Sequence, residues 1–316
     1  MKADKILEKI NKEKDMSNRT GNSYYMALMA ITASLLWGSA FPVLKISFSE
    51  LDITPGDISE KLVFAGIRFL GAGLMLFLFS PATRKVMPKK REFYGLFMLG
   101  LLQTAIQYTL FYNGLSNTTG VKASIIISSG NFFVVLLAHF VYRDDRINWK
   151  KAIGLTAGFS GVLIANLNNG VDFGFTLSGE GLLILSTLVG AIGTILAKQL
   201  SIGINPFAVS GWQMLLGSFF LIGIGFPGME NGLHFTALAV VLLIYSSFLS
   251  AAAFSLWYTV LKYSKAGEVT IYRFIIPLSG ALFSALFIPG ETITLYTLLA
   301  LVLAVIGIIV VNYRRV

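Results

Sequence analysis

Long apolar runs separated by short polar segments fill nearly the whole chain. A helix needs roughly 20 apolar residues to cross ~30 Å of hydrocarbon, and ten runs approach that length. We number them spans 1 to 10; they cover about 25–48, 62–80, 93–113, 120–141, 149–167, 180–199, 206–226, 235–258, 268–288 and 292–312. The pattern predicts an all-α integral membrane protein of ten transmembrane helices, preceded by a polar tail at 1–24.

Composition supports this prediction. The 316 residues are 55% hydrophobic and 13% charged, whereas a soluble domain carries about a quarter charged residues. The chain has no cysteine, which excludes disulfides, cysteine metal sites and thiol nucleophiles. Residues 1–20 are polar and of mixed charge, and the apolar run that follows is too long for a signal peptide.

The distribution of basic residues predicts the orientation. With the N-terminus in the cytoplasm, 20 of the 25 Lys and Arg residues fall in cytoplasmic segments and only Lys61 and Lys122 fall outside. Cytoplasmic loops of membrane proteins carry such an excess. Because one missed span would invert every later loop, the count predicts ten spans in the cytoplasmic membrane with both termini in the cytoplasm.

The two halves of the chain are weakly similar. At an offset of 146 positions Tyr112 falls on Tyr258, Gly161 on Gly307, and Asn166 on Asn312. We therefore assign 25–170 and 171–316 as two five-helix repeats. Because five is odd, the second repeat must be inverted in the membrane, an arrangement that places a substrate site near the midplane and permits alternating access.

Four stretches carry a resemblance to a known family. They are SLLWGSAFPVLKIS from residue 34, RFLGAGLMLFLF from residue 68, RDDRINWKKAIGLTAGFSGVLIAN from residue 143 and PGETITLYTLLALVLAVIGIIVVN from residue 289. The set resembles the EamA-type transporters of the drug/metabolite transporter superfamily. The resemblance implies a secondary transporter of small metabolites, typically an exporter of amino acids or related compounds.

The chain departs from the family pattern at two places. Asn131 stands where the family commonly has proline, although its repeat partner Pro277 keeps the proline. An Asp144–Asp145 pair replaces the single glutamate seen at Glu291. We expect the first departure to reshape the substrate path and the second to change little.

Charges at membrane depth are costly and mark functional candidates. Lys45 in span 1 and Arg68 in span 2 could draw an anion toward a cavity, or could reach to the outer interface instead. Arg273 in span 9 is a third candidate, with pairing to nearby carbonyls or to Glu268 as its alternative. In span 1, Gly38 predicts close helix approach and Pro42 predicts a bend near a gate.

Polar and aromatic side chains complete the predicted substrate site. Amides and phenols at membrane depth need partners, so they face either a cavity or another helix. Interhelical hydrogen bonding is the alternative for span 3, and an aromatic belt at the interface is the alternative for Trp212, Trp257 and Tyr258. The further candidates are Trp37, Gln103, Gln107, Tyr108, Tyr112, Asn131, Trp212, Gln213 and Tyr258.

Several functions lack their sequence signatures. No carboxylate lies in mid-span, and His139 lies at the end of span 4. We therefore expect facilitated diffusion, exchange or weak coupling rather than strong proton antiport. There is no P-loop; no cofactor, metal or nucleic acid is expected, and the partners are a small substrate and the lipid bilayer. Uptake or exchange of another metabolite or drug, an intramembrane enzyme acting on lipid, and a membrane scaffold or sensor remain as alternatives.

Overall fold

The computed structural model describes residues 2–166, 174–230, 232–290 and 292–312, with side chains considered from residue 23 onward except 120–121. Within these ranges the chain forms helices and short connections, without a strand. The α-helices are α1 Lys2–Glu50, α2 Ile58–Phe79, α3 Pro81–Arg84, α4 Lys90–Gly100, α5 Gln107–Ser116, α6 Gly120–Val141, α7 Trp149–Ala165, α8 Leu182–Gly203, α9 Pro206–Gly225, α10 Ala237–Tyr263, α11 Ala266–Val269, α12 Ile275–Phe287 and α13 Leu295–Asn312.

Eight helical segments of the described chain are long and apolar enough to cross a membrane. They match spans 1, 2, 4, 6, 7, 8, 9 and 10, so the chain is a multi-pass membrane protein. Span 3 runs from α4 through a π-helical turn, Leu101–Ile106, into α5 without a break. Span 5 is α7, which has 17 residues. These two segments are helical but fall outside the eight, and the full set of ten crossings remains a prediction.

Polar side chains before some of the helices explain where several spans begin. Asn148 accepts a hydrogen bond from Lys151 N at 3.0 Å at the start of α7. Asn205 does the same for Phe207 N at 3.0 Å, with Pro206 as the first residue of α9. Such caps satisfy backbone donors that the first turn leaves unpaired, and proline is suited to the first helical position.

Small residues allow the helices to approach each other closely. A Cβ atom on Gly73 of span 2 would lie 3.0 Å from Leu215 N of span 7, so neither helix has room for a side chain there. In span 1, a Cβ on Gly38 would collide with Ser279 and lie 3.0 Å from Gly280 N. The close approach predicted at Gly38 is therefore present. In lipid such packing, rather than the hydrophobic effect, holds helices together.

The contacts between spans 5 and 10 have the symmetry expected from the internal repeat. A Cβ on Gly154 would lie 3.0 Å from Gly307 O, and a Cβ on Gly161 would lie 2.9 Å from Ala300 O. The offset of 146 carries Gly154 onto Ala300 and Gly161 onto Gly307. Each contact thus becomes the other when the halves are exchanged, as expected for a two-fold relation between them.

Other helix pairs follow the same exchange. Span 1 packs against spans 8 and 9, and its repeat partner, span 6, packs against spans 3 and 4. Spans 2 and 7, which are repeat partners, pack extensively against each other. Span 1 therefore packs mainly against helices of the second half, and span 6 mainly against helices of the first. This interleaving places the side chains of spans 1, 2, 3, 8 and 9 in one central region.

Candidate functional site

Five aromatic rings from spans 1, 2, 3 and 8 form a continuous cluster in this central region. Trp37 contacts Phe254 and Trp257 with ring centroids 5.1 and 5.7 Å apart. Phe69 contacts Tyr108 at 4.8 Å and Phe254 at 6.3 Å. All four contacts are edge-to-face, a geometry that aromatic pairs favour. We call Trp37, Phe69, Tyr108, Phe254 and Trp257 the aromatic cluster.

A guanidinium group lies over each side of the aromatic cluster. Arg68 is 3% exposed, and its Cζ atom lies 4.5 Å from the Phe69 centroid and 5.6 Å from that of Tyr108. Arg273 lies 5.9 Å from the rings of both Trp37 and Trp257. Because Arg68 is buried among helices, the alternative that it reaches to the interface is wrong. Guanidinium groups over ring faces gain cation–π energy that offsets part of their desolvation.

Arg68 keeps hydrogen-bonding capacity for a ligand. Its Nε atom is buried and has no hydrogen-bond partner among the residues that the structure describes. A guanidinium donates two parallel hydrogen bonds to a carboxylate or phosphate. The buried Arg68 is thus suited to receive an anionic group beside the rings.

The repeat-related tyrosines, Tyr112 and Tyr258, differ in their hydrogen bonding. Tyr258 is 1% exposed and donates to Gln213 Oε1 at 2.6 Å, and Gln213 Nε2 donates to Thr104 Oγ1 at 2.7 Å. This relay joins spans 8, 7 and 3. Tyr112 is 2% exposed, and its hydroxyl has no hydrogen-bond partner within the described part of the chain. Tyr112 is therefore a second group available to a ligand.

The aromatic-belt alternative is wrong for Trp257 and Tyr258. They are 2% and 1% exposed, whereas belt residues face the lipid interface. They lie on the same face of span 8 as Phe254, at spacings of three and four residues. That face packs against Trp37 rather than lipid.

Gln103 and Gln107 pack against span 6. Gln103 Nε2 donates to Gln107 Oε1 at 2.8 Å. A Cβ on Gly190 would lie 2.7 Å from Gln107 Nε2, and a Cβ on Gly193 would collide with Gln103. Ser186 of span 6 also donates to the Gln107 carbonyl at 2.9 Å. The pair therefore faces span 6, but its side-chain hydrogen bond lies within span 3 and the bond to span 6 uses the Gln107 backbone carbonyl.

Three other predicted residues lie apart from the aromatic cluster. Lys45 lies on the exposed side of α1. Asn131 is 4% exposed and accepts a hydrogen bond from Thr270 Oγ1 at 3.4 Å, which links span 4 to span 9. Trp212 lies between Phe77 and Phe93, with centroids 5.2 and 6.0 Å away.

Phe69 and Phe254 are not predicted from the sequence; Thr104 lies on the polar face predicted for span 3, but its partner is not predicted. The aromatic pair looks like ordinary apolar filling in a membrane helix, where lipid-facing and buried positions share one composition. Phe254 could have been found from its spacing to Trp257 and Tyr258 on one helical face. Thr104 lies in the π-helical turn, and its pairing with Gln213 has no signature in sequence.

Polar contacts join helix ends at both ends of the bundle. On the predicted outer side, Thr118 Oγ1 donates to Glu180 Oε1 at 2.5 Å, and Lys122 lies 3.3 Å from the same carboxylate. On the predicted inner side, Gly267 N donates to Asp145 Oδ2 at 2.8 Å. His139 Nδ1 accepts a hydrogen bond from Ile147 N at 3.0 Å, a structural role. These contacts hold the connections between helices at the two ends of the bundle.

Comparison with known proteins now decides the family. The sequence profile of the EamA-like transporter family matches residues 24–167 and again 177–313. The chain belongs to the EamA-like transporter family. The two matches coincide with the two halves of the chain that the offset of 146 relates. The family is one of transporters, and this chain is a transporter of that family.

Individual relatives match over most of this EamA-family chain. An uncharacterized transporter of Archaeoglobus fulgidus is 26% identical, covering 93% of this chain and 99% of its own. The uncharacterized transporter YvbV of Bacillus subtilis is 29% identical, covering 91% and 92%. A chloroplastic WAT1-related protein of Arabidopsis thaliana is 24% identical, covering 90% and 68%. One solved crystal structure shares the fold, with a TM-score of 0.72 at 15% identity over 91% of this chain and 96% of that one.

Proposed function

We propose that this EamA-family chain is a secondary transporter that exports small metabolites bearing a carboxylate, such as amino acids, by alternating access. The observation that carries the proposal is the pair of guanidinium groups, Arg68 and Arg273, on either side of the aromatic cluster. A carboxylate binds a guanidinium bidentately, and the rings supply an apolar surface for the rest of the molecule.

The proposed topology has ten crossings of the cell membrane with both termini in the cytoplasm. The excess of Lys and Arg in one set of loops supports it. Span 3 is an unbroken helix from Lys90 to Ser116, and span 5 packs against span 10 through the exchanged glycine contacts. With those two segments counted as crossings, each half has five spans and the halves are inverted.

Alternating access follows from the inverted halves. Rocking of the halves around a central site exposes it to each side in turn. The contacts at Glu180 and Asp145 would then open in opposite states. Direction follows from the gradients, because ligands shift populations only through their differential affinity. No residue pair at membrane depth in the sequence suggests enzymatic chemistry, and we propose that the chain is not an enzyme.

Counterflow in proteoliposomes tests this function. Proteoliposomes that contain the purified protein are loaded with unlabelled amino acids. Uptake of a labelled amino-acid panel is then measured for wild type, Arg68→Gln and the control Lys45→Gln. We expect saturable exchange of one chemical group. Arg68→Gln should weaken its apparent affinity by roughly 10- to 150-fold, the value of a charge-assisted hydrogen bond. Lys45→Gln, on the exposed side of α1, should change it little.

Two outcomes would contradict the proposal in different ways. Unchanged exchange in a folded Arg68→Gln variant would exclude the aromatic cluster as the binding site. Exchange of cationic drugs or nucleobases, without amino acids or other carboxylates, would exclude the proposed substrate class. The same vesicles test energy coupling: an imposed pH gradient at zero membrane potential should not drive net transport.

A further inference from the structure

A polar cavity of about 300 Å³ lies at the predicted cytoplasmic end of the bundle, away from the aromatic cluster. Its lining comes from both halves of the chain. The first half supplies Tyr142 and Asp144 from the connection between spans 4 and 5. Lys198 of span 6 and Lys262 and Lys265, at the junction of spans 8 and 9, come from the second half. We call this cavity the lysine pocket.

The lysine pocket has an excess of positive charge. Three ammonium groups line it, together with the carboxylates of Asp144 and Asp145. The Asp145 carboxylate is already used, because it pairs with Lys151 Nζ at 2.5 Å and accepts from Gly267 N at 2.8 Å. Asp144 therefore remains against Lys198 and Lys262, and against Lys265, whose charge is partly offset by Glu268 at 3.8 Å. Such a surface attracts an anion.

The three lysines have different roles. Lys198 Nζ donates to the carbonyls of Leu261 and Ser264 at 2.7 and 2.5 Å, so it also holds the end of span 8. Lys265 lies 3.8 Å from Glu268, and its side chain is 38% exposed. Lys262 lies over the Tyr263 ring at 5.5 Å. Lys262 and Lys265 are half-buried and can turn toward a ligand without losing a hydrogen bond to a buried carbonyl, whereas substitution of Lys198 would remove two such bonds.

We propose that the lysine pocket binds a phosphate group, supplied by the headgroup of an anionic phospholipid of the inner leaflet. Basic pockets between membrane helices on the cytoplasmic side recognise such headgroups. Tyr263, 61% exposed at the end of span 8, offers the aromatic surface typical of the membrane interface. The inner-leaflet assignment rests on the proposed topology, whereas binding of the phosphate group does not.

The position of the pocket gives the ligand a function. A headgroup held between Tyr142 of the first half and Lys262 and Lys265 of the second would bind best when these segments are close together. By linkage it would favour the state in which they are close, and it would be released when they separate. The lipid would thereby tune transport from a site that the substrate does not touch.

Native mass spectrometry of the whole protein tests the site without a transport assay. Delipidated protein is mixed with equimolar phosphatidylglycerol and phosphatidylcholine in detergent, and the bound lipids are counted. The variants are Lys262→Gln/Lys265→Gln and the control Lys85→Gln/Lys90→Gln, which removes two exposed basic charges outside the pocket. We expect the pocket variant to lose about 30-fold in preference, because each lysine facing an anionic headgroup strengthens binding roughly fivefold.

Competition with inorganic phosphate separates the two sources of the ligand. Retention of phosphatidylglycerol in millimolar phosphate, lost only in the pocket variant, supports the lipid headgroup. If inorganic phosphate displaces the lipid, and this depends on Lys262 and Lys265, the assignment of the ligand to a lipid headgroup is overturned and a soluble phosphate is the ligand. Equal lipid binding by wild type and pocket variant would overturn the site itself. None of these outcomes depends on whether the counterflow experiment detects transport.

Discussion

Removing one partner of the buried Asp145–Lys151 ion pair should destabilise the protein far more than removing both. The two side chains are 1% and 2% exposed, and Lys151 Nζ lies 2.5 Å from Asp145 Oδ1. The ammonium group also donates to the carbonyls of Asp145 and Arg146 at 3.0 and 2.8 Å. All three ammonium protons are therefore in hydrogen bonds. The substitution that tests the pair is Lys151→Met.

The expected magnitude follows from the distance and the burial. At 2.5 Å and an effective dielectric constant of about 20, the Coulomb attraction is about 7 kcal/mol. Much of it is offset by the cost of taking both charges out of water, so the net contribution of the pair is small. In Lys151→Met, Asp145 keeps its charge and its bond from Gly267 N. An unpaired buried charge of this kind costs about 3–5 kcal/mol.

Reversible unfolding in mixed micelles measures these differences. We expect a loss of about 3–5 kcal/mol for Lys151→Met and a loss within about 1–2 kcal/mol for Asp145→Asn/Lys151→Met, in which no charge remains buried. The neighbouring Lys150→Met is the control and should cost under about 0.5 kcal/mol. Asp145→Asn alone completes the cycle. If the double variant loses the sum of the losses of Lys151→Met and Asp145→Asn, the coupling is zero and the reasoning is refuted.

Three further predictions use matched positions in the same chain. Tyr258→Phe should cost about 1–3 kcal/mol, because it leaves Gln213 Oε1 unpaired, and Tyr112→Phe should cost little; chemical denaturation of both variants checks the pair. Gly154→Ala should cost about 1–3 kcal/mol by forcing spans 5 and 10 apart, whereas Gly203→Ala, with no atom within 4 Å of the added methyl carbon, should not lower the melting temperature. Burial raises the pKa of Tyr142 to about 12. The folded protein therefore favours the neutral form, which contributes stability below pH 10 that is lost between about pH 10 and 12. In alkaline absorbance titrations, the difference between wild type and Tyr142→Phe should have its midpoint at this raised pKa.

Hydropathy and charge were enough to predict most of the membrane architecture. Apolar runs of sufficient length mark helices because a membrane admits few other backbone structures. The glycine at Gly38 predicted a close contact that is present with Ser279. The offset of 146 predicted equivalent halves, and the family matches and the exchanged contacts of spans 5 and 10 agree with it.

The faces of the helices were much harder to predict. In a soluble protein, polar positions mark the exposed side of a helix, but lipid is as apolar as a protein core. The sequence therefore leaves the belt alternative open for Trp257 and Tyr258, and it does not distinguish Phe69 and Phe254 from lipid-facing residues. Charged residues were more informative: Arg68 and Arg273 both lie against the aromatic cluster. The sequence also does not show which of two adjacent acidic side chains is buried. Asp144 is exposed, whereas its neighbour Asp145 is 1% exposed.

The π-helical turn at Leu101–Ile106 has a consequence for how this chain can change in length. A π-helical turn holds about one residue more than an α-helical turn. Deleting one residue there can let the turn close as α-helix, while Tyr108 and Tyr112 keep their present faces. Deleting one residue from Gln107–Ser116 instead would rotate everything beyond it by about 100°. A residue can therefore be removed from this turn without rotating the segment that carries Tyr108 and Tyr112, provided that the contacts of Gln103 and Thr104 are kept.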